Sequence, residues 1–447
     1  MMIVKKNRYL IFHQAIIAIL IIGIFIDSLP SKISLPIYLI LILTLIISSK
    51  KIITRISAYG SSLELVFMFF FLVTLILSAN ISCCFPDTLR RILRMSMAIV
   101  IYLIFSSFNW RKTFPLALSI YSILNIAALL LSIIEILDNN LLVSFWSILL
   151  LPNGVDYQIF EISRGRIPAL GPIYMTFIIP ISYMLSEGKK MWLAGLSLFS
   201  GLLTILLWNY RGHLVTTAII LFIIYFYSKR FGLPGLEYKV NRTLMFSLSI
   251  IILSLTVYFL ISLKFINYPL HDRFLLKNNV DAYYLSNRLD FLKRATALFK
   301  TNLLFGAGPG SFAYYSPPLS INLPLSNDKV VSKKHLVFNA EPHNIFLEFM
   351  AETGTIGTIS FGLILTIFAI NDLRGLKSRN SFQRSIFAIA SWSFIISAQF
   401  NAYSKSALYS FFIIRGMVSS FDSEIQMKKL KLIESTTSQI ILQSAKG

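Results

Sequence analysis

The chain alternates between long apolar runs and short polar gaps. Apolar stretches cover about 9–26, 33–48, 62–79, 92–109, 114–137, 168–186, 191–209, 212–228, 243–263, 344–370, 382–402 and 404–421. They are continuous rather than alternating with period two, which excludes the strands of a transmembrane barrel. A helix of about 20 residues crosses about 30 Å of hydrocarbon. The pattern therefore predicts an all-α polytopic membrane protein of about twelve transmembrane helices, the shorter runs tilting or borrowing flanking residues. The first run follows Lys5, Lys6 and Arg8 as a signal peptide would. It ends in Asp27-Ser28-Leu29-Pro30 with no small-x-small cleavage site, so it is expected to stay as the first span.

Composition sharpens this picture. Of 447 residues 56% are hydrophobic and only 14% charged, against roughly 25% charged in soluble domains. A soluble enzyme, a disordered chain and a secreted disulfide scaffold are excluded. The net charge of +21 would suggest nucleic acid in a soluble protein. Here the basic residues sit mostly in the gaps between runs, so membrane orientation explains them and no nucleic-acid partner is expected. Placing both termini in the cytoplasm puts Lys50, Lys51, Arg55, Lys189, Lys190, Lys229, Arg230, Arg374 and Lys377 on the inner side, leaving few basic residues in the short outer segments. Arg415, inside the last run, is expected to snorkel inward. The division expected is 1–263 for helices with short loops, 264–342 for one large outer loop subdomain, 343–421 for the last three helices and 422–447 for a basic cytoplasmic tail. Cys83 and Cys84 are neighbours, which bridge only with strain, and two ligands make no metal site.

Most basic residues left on the outer side are arginines. Arg90 and Arg94 share a helix face with Arg91 beside them, Arg164 and Arg166 precede a run, and Arg211 stands between two runs. A guanidinium fork matches two phosphate oxygens at once. The set fits an anionic substrate; each arginine alone also fits a lipid head group or the carbonyls at a helix end. A second constellation runs Glu341-Pro342-His343-Asn344-Ile345-Phe346-Leu347-Glu348 and on to Glu352, Gly354 and Gly357. Pro342 forbids helix before it and Asn344 is a good N-cap. His343 then stands at the outer mouth of a helix, either as a base for a hydroxyl or as a plain interfacial residue. Gly354 and Gly357 are expected to permit close helix contact.

Within the large loop, Ser286 to Asn302 reads as an amphipathic helix with Leu289, Leu292, Ala295, Leu298 and Phe299 on its apolar face. It should stop at Gly306-Ala307-Gly308-Pro309-Gly310, which is either a plain turn or an anion-binding nest. The remaining histidines show no metal-ligand spacing, and neither a P-loop nor an Asp-x-Asp pair is present.

These residues resemble a known family, the bacterial O-antigen ligases and the related O-antigen and capsule repeat-unit polymerases. The resemblance rests on His343-Asn344-x-x-Leu347-Glu348 with Glu352-x-Gly354-x-x-Gly357, on Arg288 and the 298–310 stretch, on Arg166 to Pro172, and on Arg211-Gly212. It covers about residues 160–360. Val215 stands where the ligase pattern has leucine, and the element after Arg166 lacks the usual Asn-Pro-Asn, so ligase and polymerase both remain open. The resemblance implies a membrane glycosyltransferase of lipopolysaccharide biosynthesis in the bacterial inner membrane, with its active site and the large loop periplasmic. The donor it implies is a glycan on undecaprenyl pyrophosphate; the acceptor is lipid A–core or a second lipid-linked repeat. Arg211, Arg166, Arg288, Arg94 and Arg164 would hold the pyrophosphate and His343 would act on the acceptor hydroxyl, supported by Asn344, Glu348 and Gly354. Neither cofactor nor metal is implied. A transporter of lipid-linked sugars is the reading from another class; it predicts internal repeats and mid-membrane charges.

Overall fold

A computed structural model describes residues 62–82, 85–107, 110–137, 191–207, 211–230, 236–265, 291–300, 302–312, 344–376, 382–399 and 408–422, with isolated positions between 43 and 53. The described residues are helical or turn, with no strand among them. The helices are α1 (Ser62–Ala79), α2 (Phe85–Ser107), α3 (Trp110–Leu137), α4 (Met191–Leu207), α5 (Arg211–Arg230), α6 (Leu236–Phe265), α7 (291–300), α8 (Ile345–Leu376), α9 (Phe382–Ser397) and α10 (408–422). Every apolar run of the sequence falls on one of these helices apart from those at 9–26 and 168–186, which lie outside the described residues, and 33–48, of which isolated positions are described. Among the described residues Ile345–Gly375 is the helix long and apolar enough by itself to cross a membrane.

α8 is the central element. It packs along α1, where Phe71 meets Phe349 edge-on with centroids 5.5 Å apart, and Phe361 lies 4.6 Å from Phe349. Such aromatic pairs add about 0.5–1.5 kcal/mol beyond their area. α10 closes the other side through Phe411, 6.0 Å from Phe368 and 5.2 Å from Phe394 of α9. α4 lies between α3 and α6, and Asn125 of α3 donates to Ser197 Oγ of α4 at 2.8 Å in the buried seam. The surface is apolar where a water-soluble bundle would be polar. Phe69, Trp192, Phe222 and Phe259 are each at least 60% exposed, while Thr74, Ser78, Ser197, Ser200 and Ser254 are buried. Hydrocarbon is the solvent that suits such an exterior, and small hydroxyl residues between helices let backbones approach.

One end of the bundle is an ionic knot. Arg415 Nη1 and Nη2 donate to the two oxygens of Asp372 at 2.9 and 2.7 Å, and its guanidinium stacks 4.4 Å from the Phe368 ring. Arg384 grips Asp422 with Nε and Nη2, both at 2.9 Å, and lies 3.3 Å from Asp372. Trp392 Nε1 also donates to Asp372, at 2.8 Å. Glu64 receives Asn371 Nδ2 at 2.6 Å and the Tyr102 hydroxyl. Arg415 is 2% exposed. It does not snorkel as the sequence suggests, because Asp372 supplies a counter-charge within the bundle.

Candidate functional site

The opposite end of α8 starts at Asn344. Its Oδ1 accepts the N–H groups of Phe346 and Leu347 at 3.0 and 3.1 Å, satisfying two of the free donors of the first turn. The Ile345 N–H is donated to the Ala398 carbonyl at 3.0 Å, which sets the end of α9 beside the start of α8. Glu348 and Glu352 follow, one turn apart on one face, and both are buried. Arg91 of α2 lies against them, paired with Glu348 and with its Nε 3.8 Å from Glu352 Oε2. Two carboxylates this close and this dry repel one another, and a guanidinium beside them offsets that repulsion.

The α8 ladder breaks at Gly354, whose φ of 66° and ψ of −163° lie in a region essentially restricted to glycine. The groups freed by the break are taken by the 302–312 turn. Ala307 and Gly308 donate to the carbonyls of Ala351 and Glu352, each at 2.9 Å, while Thr355 and Ile356 donate to Leu303 and Leu304 at 2.8 and 3.2 Å. A Cβ on Gly354 would fall on the Leu304 carbonyl, and one on Gly306 would fall on the Glu352 carbonyl. α1 and α2 close the other wall. The Ser78 hydroxyl bonds the carbonyls of Phe305 and Glu352, and Thr88 Oγ1 donates to the Pro309 carbonyl at 2.8 Å. Beneath the turn, Phe291 and Ala295 of α7 pack with Phe312 and Ala351.

Of the two roles open to the glycine turn, this geometry supports the plain turn. The amides of Gly306, Ala307 and Gly308 are directed at protein carbonyls (Asn302, Ala351 and Glu352), so they are not presented to an anion. The glycines of α8 also act differently from the expectation. The close approach at Gly354 is to a loop rather than to a helix, and the nearest neighbour at Gly357 is Thr353 of its own helix. The described part of the amphipathic helix buries Phe291 and Ala295, with Leu298 partly covered, and leaves Leu292 exposed.

Asn344, Glu348 and Gly354 are thus gathered around one kinked helix start. Arg94 is half-buried on α2, a turn beyond Arg91. Arg211 opens α5, and its side chain is outside the description. At the far end of α5, Tyr227 lies beside Ser385 and Arg384, in the ionic knot. The backbone of Arg211 therefore belongs to the end of the bundle that Asn344 marks. His343, Arg164, Arg166 and Arg288 lie outside the described residues. Sequence reasoning passed over Arg91 as a structural partner. The signal was available: two glutamates four apart in an apolar helix require a cation from elsewhere.

Gly354→Ala is expected to strain the backbone by about 1–3 kcal/mol and to release the turn through the added clash. The check is a lower melting temperature in detergent together with faster proteolysis between 302 and 312.

Residues 196–362 match the family model described as O-antigen ligase. No curated protein matches the chain. The matched segment runs from α4 through α5, α6, α7 and the turn into the first half of α8, and so contains the capped and kinked helix start. Over that segment the chain is similar to the O-antigen ligase family, in line with the resemblance of its residues. The match supports glycan transfer of the O-antigen-ligase kind in general terms. α1 and α2, which supply Ser78, Thr88 and Arg91, lie outside it.

Proposed function

We propose that the chain transfers a glycan from undecaprenyl pyrophosphate to an acceptor sugar hydroxyl at the periplasmic face of the bacterial inner membrane, as an O-antigen ligase with lipid A–core as acceptor. The observation that carries this reading is the O-antigen ligase match over 196–362, which takes in Arg211, Arg288 and the run from His343 to Gly354. The apolar exterior of the bundle supports a membrane setting; about twelve spans and cytoplasmic termini are part of the proposal.

In the sequence His343 directly precedes Asn344, the cap of a helix N-terminus whose partial positive charge favours an approaching anion. In the proposed reaction the acceptor hydroxyl gives its proton to the imidazole, or is oriented by it, and its oxygen attacks the anomeric carbon. The bond from that carbon to the pyrophosphate oxygen breaks with inversion. Arg211, Arg166 and Arg288, with Arg94 and Arg164, hold the departing pyrophosphate. Fixed guanidinium groups stabilise the leaving charge without a metal ion.

Deleting the gene tests the reading. Full-length polymer accumulating on the carrier lipid, with bare lipid A–core, is the expected result. A single repeat attached to core would assign the polymerase reaction instead. An unchanged glycan profile would remove both.

A further inference from the structure

We propose that Arg91 is a positioning residue for the transfer reaction, acting through Glu348 and Glu352 to fix the first turns of α8. The inference rests on the transfer reading above. The break at Gly354 separates residues 345–353 from the continuous ladder of the rest of α8. A helical segment of under three turns has little stability of its own, so its orientation depends on what holds it from outside. Asn344 caps its start, Ile345 bonds the end of α9, Phe349 packs on Phe71 of α1, the 303–308 backbone bridges its end, and Arg91 reaches across from α2 to its middle.

Arg91 is the tie that sets rotation. Glu348 and Glu352 stand one turn apart on one face, so a guanidinium engaging both resists sliding and turning of the segment alike. The Glu348 N–H is bonded to the Asn344 carbonyl at 3.0 Å, which couples the gripped face directly to the cap, the residue after His343. The α1–α2 corner anchors the same grip at its other side, through Ser78 on the Glu352 carbonyl and Thr88 on the turn. Arg91 also differs chemically from a pyrophosphate ligand. Its charge is directed at two buried carboxylates of the protein itself.

The test uses the full chain in lipid nanodiscs, with undecaprenyl-pyrophosphate-linked glycan extracted from host membranes as donor and glycan-free lipopolysaccharide core as acceptor. Arg91→Ala is expected to lower kcat by about 10- to 100-fold, the scale of a misplaced reacting group, with the donor KM within about twofold. Arg91→Lys should recover part of the loss, since a point charge reaches one carboxylate but lacks the fork. The exchange Arg91→Glu with Glu348→Arg should recover activity over Arg91→Glu alone. A donor KM raised about tenfold with kcat intact, and no recovery in the exchange, would make Arg91 a substrate ligand and overturn the proposal. So would wild-type turnover by Arg91→Ala. Should that variant fail to give monodisperse protein, Glu352→Gln keeps the volume and removes one charge. The same kcat-only loss is expected there, and unchanged kcat overturns the proposal. Unchanged transfer by His343→Ala, by contrast, would fell the transfer reading whatever Arg91 does, and the positioning role with it.

Discussion

The His343→Ala protein is expected to insert and accumulate like wild type and to lose glycan transfer by about 10²- to 10⁴-fold, the contribution of a positioned proton acceptor. The substitution removes a side chain that lies ahead of the cap, so the bonds from Asn344 to Phe346 and Leu347 remain. Activity and assembly should therefore separate cleanly. Complementing a null strain with this variant should leave polymer on the carrier lipid at normal protein levels, and turnover in nanodiscs should fall with no change in melting temperature. Arg211→Lys should fail for a different reason, because an ammonium cannot pair two phosphate oxygens in one plane. Near-normal transfer by either variant would count against the role given to that residue.

Asp372→Ala is expected to cost about 3–5 kcal/mol, the penalty for leaving buried charge uncompensated. Asp372 is the acceptor for both Arg415 nitrogens and for Trp392, and it lies 3.3 Å from Arg384. Its loss strands Arg415, which is 2% exposed, whereas Arg384 keeps Asp422. A thermal melt of the purified protein in detergent checks this. Replacing the pair together, as Asp372→Leu with Arg415→Met, should recover much of the loss, since apolar side chains of similar size can stand in for a buried ion pair. A melting temperature unchanged in Asp372→Ala would mean that water reaches Arg415 after all.

The two ends of α8 carry opposite kinds of chemistry. From Gly354 to Asp372 the helix rises about 27 Å, close to the thickness of a bilayer's hydrocarbon core. The knot of Asp372, Arg384, Arg415 and Asp422 is held by ion pairs among its own side chains. The other end is assembled from a cap, a break and a borrowed turn, which leaves a helix start that external contacts must hold.

Much of this was legible in the residues. Continuous apolar runs specify helices because hydrocarbon leaves the backbone no partner but itself. Asn344 after Pro342 marks a helix start for local reasons of the same kind, and the glycines at 306, 308 and 310 mark a turn because their positive φ values need no Cβ. The motif around His343 and the arginine that opens α5 were readable as a family resemblance. What tertiary structure alone decided is where charges and broken backbone find partners. Arg415 has the stem to reach water, and only the arrival of Asp372 from another helix turns it inward. Gly354 reads as a helix-packing residue until the 303–308 turn is laid against it. Arg91 is one of three neighbouring arginines, singled out because α8 brings Glu348 and Glu352 to its side of α2. The local pattern settles which segments are helical, since each backbone hydrogen bond spans four residues; the pairing of Arg91 with Glu348 spans more than half the chain, and packing alone brings such residues together.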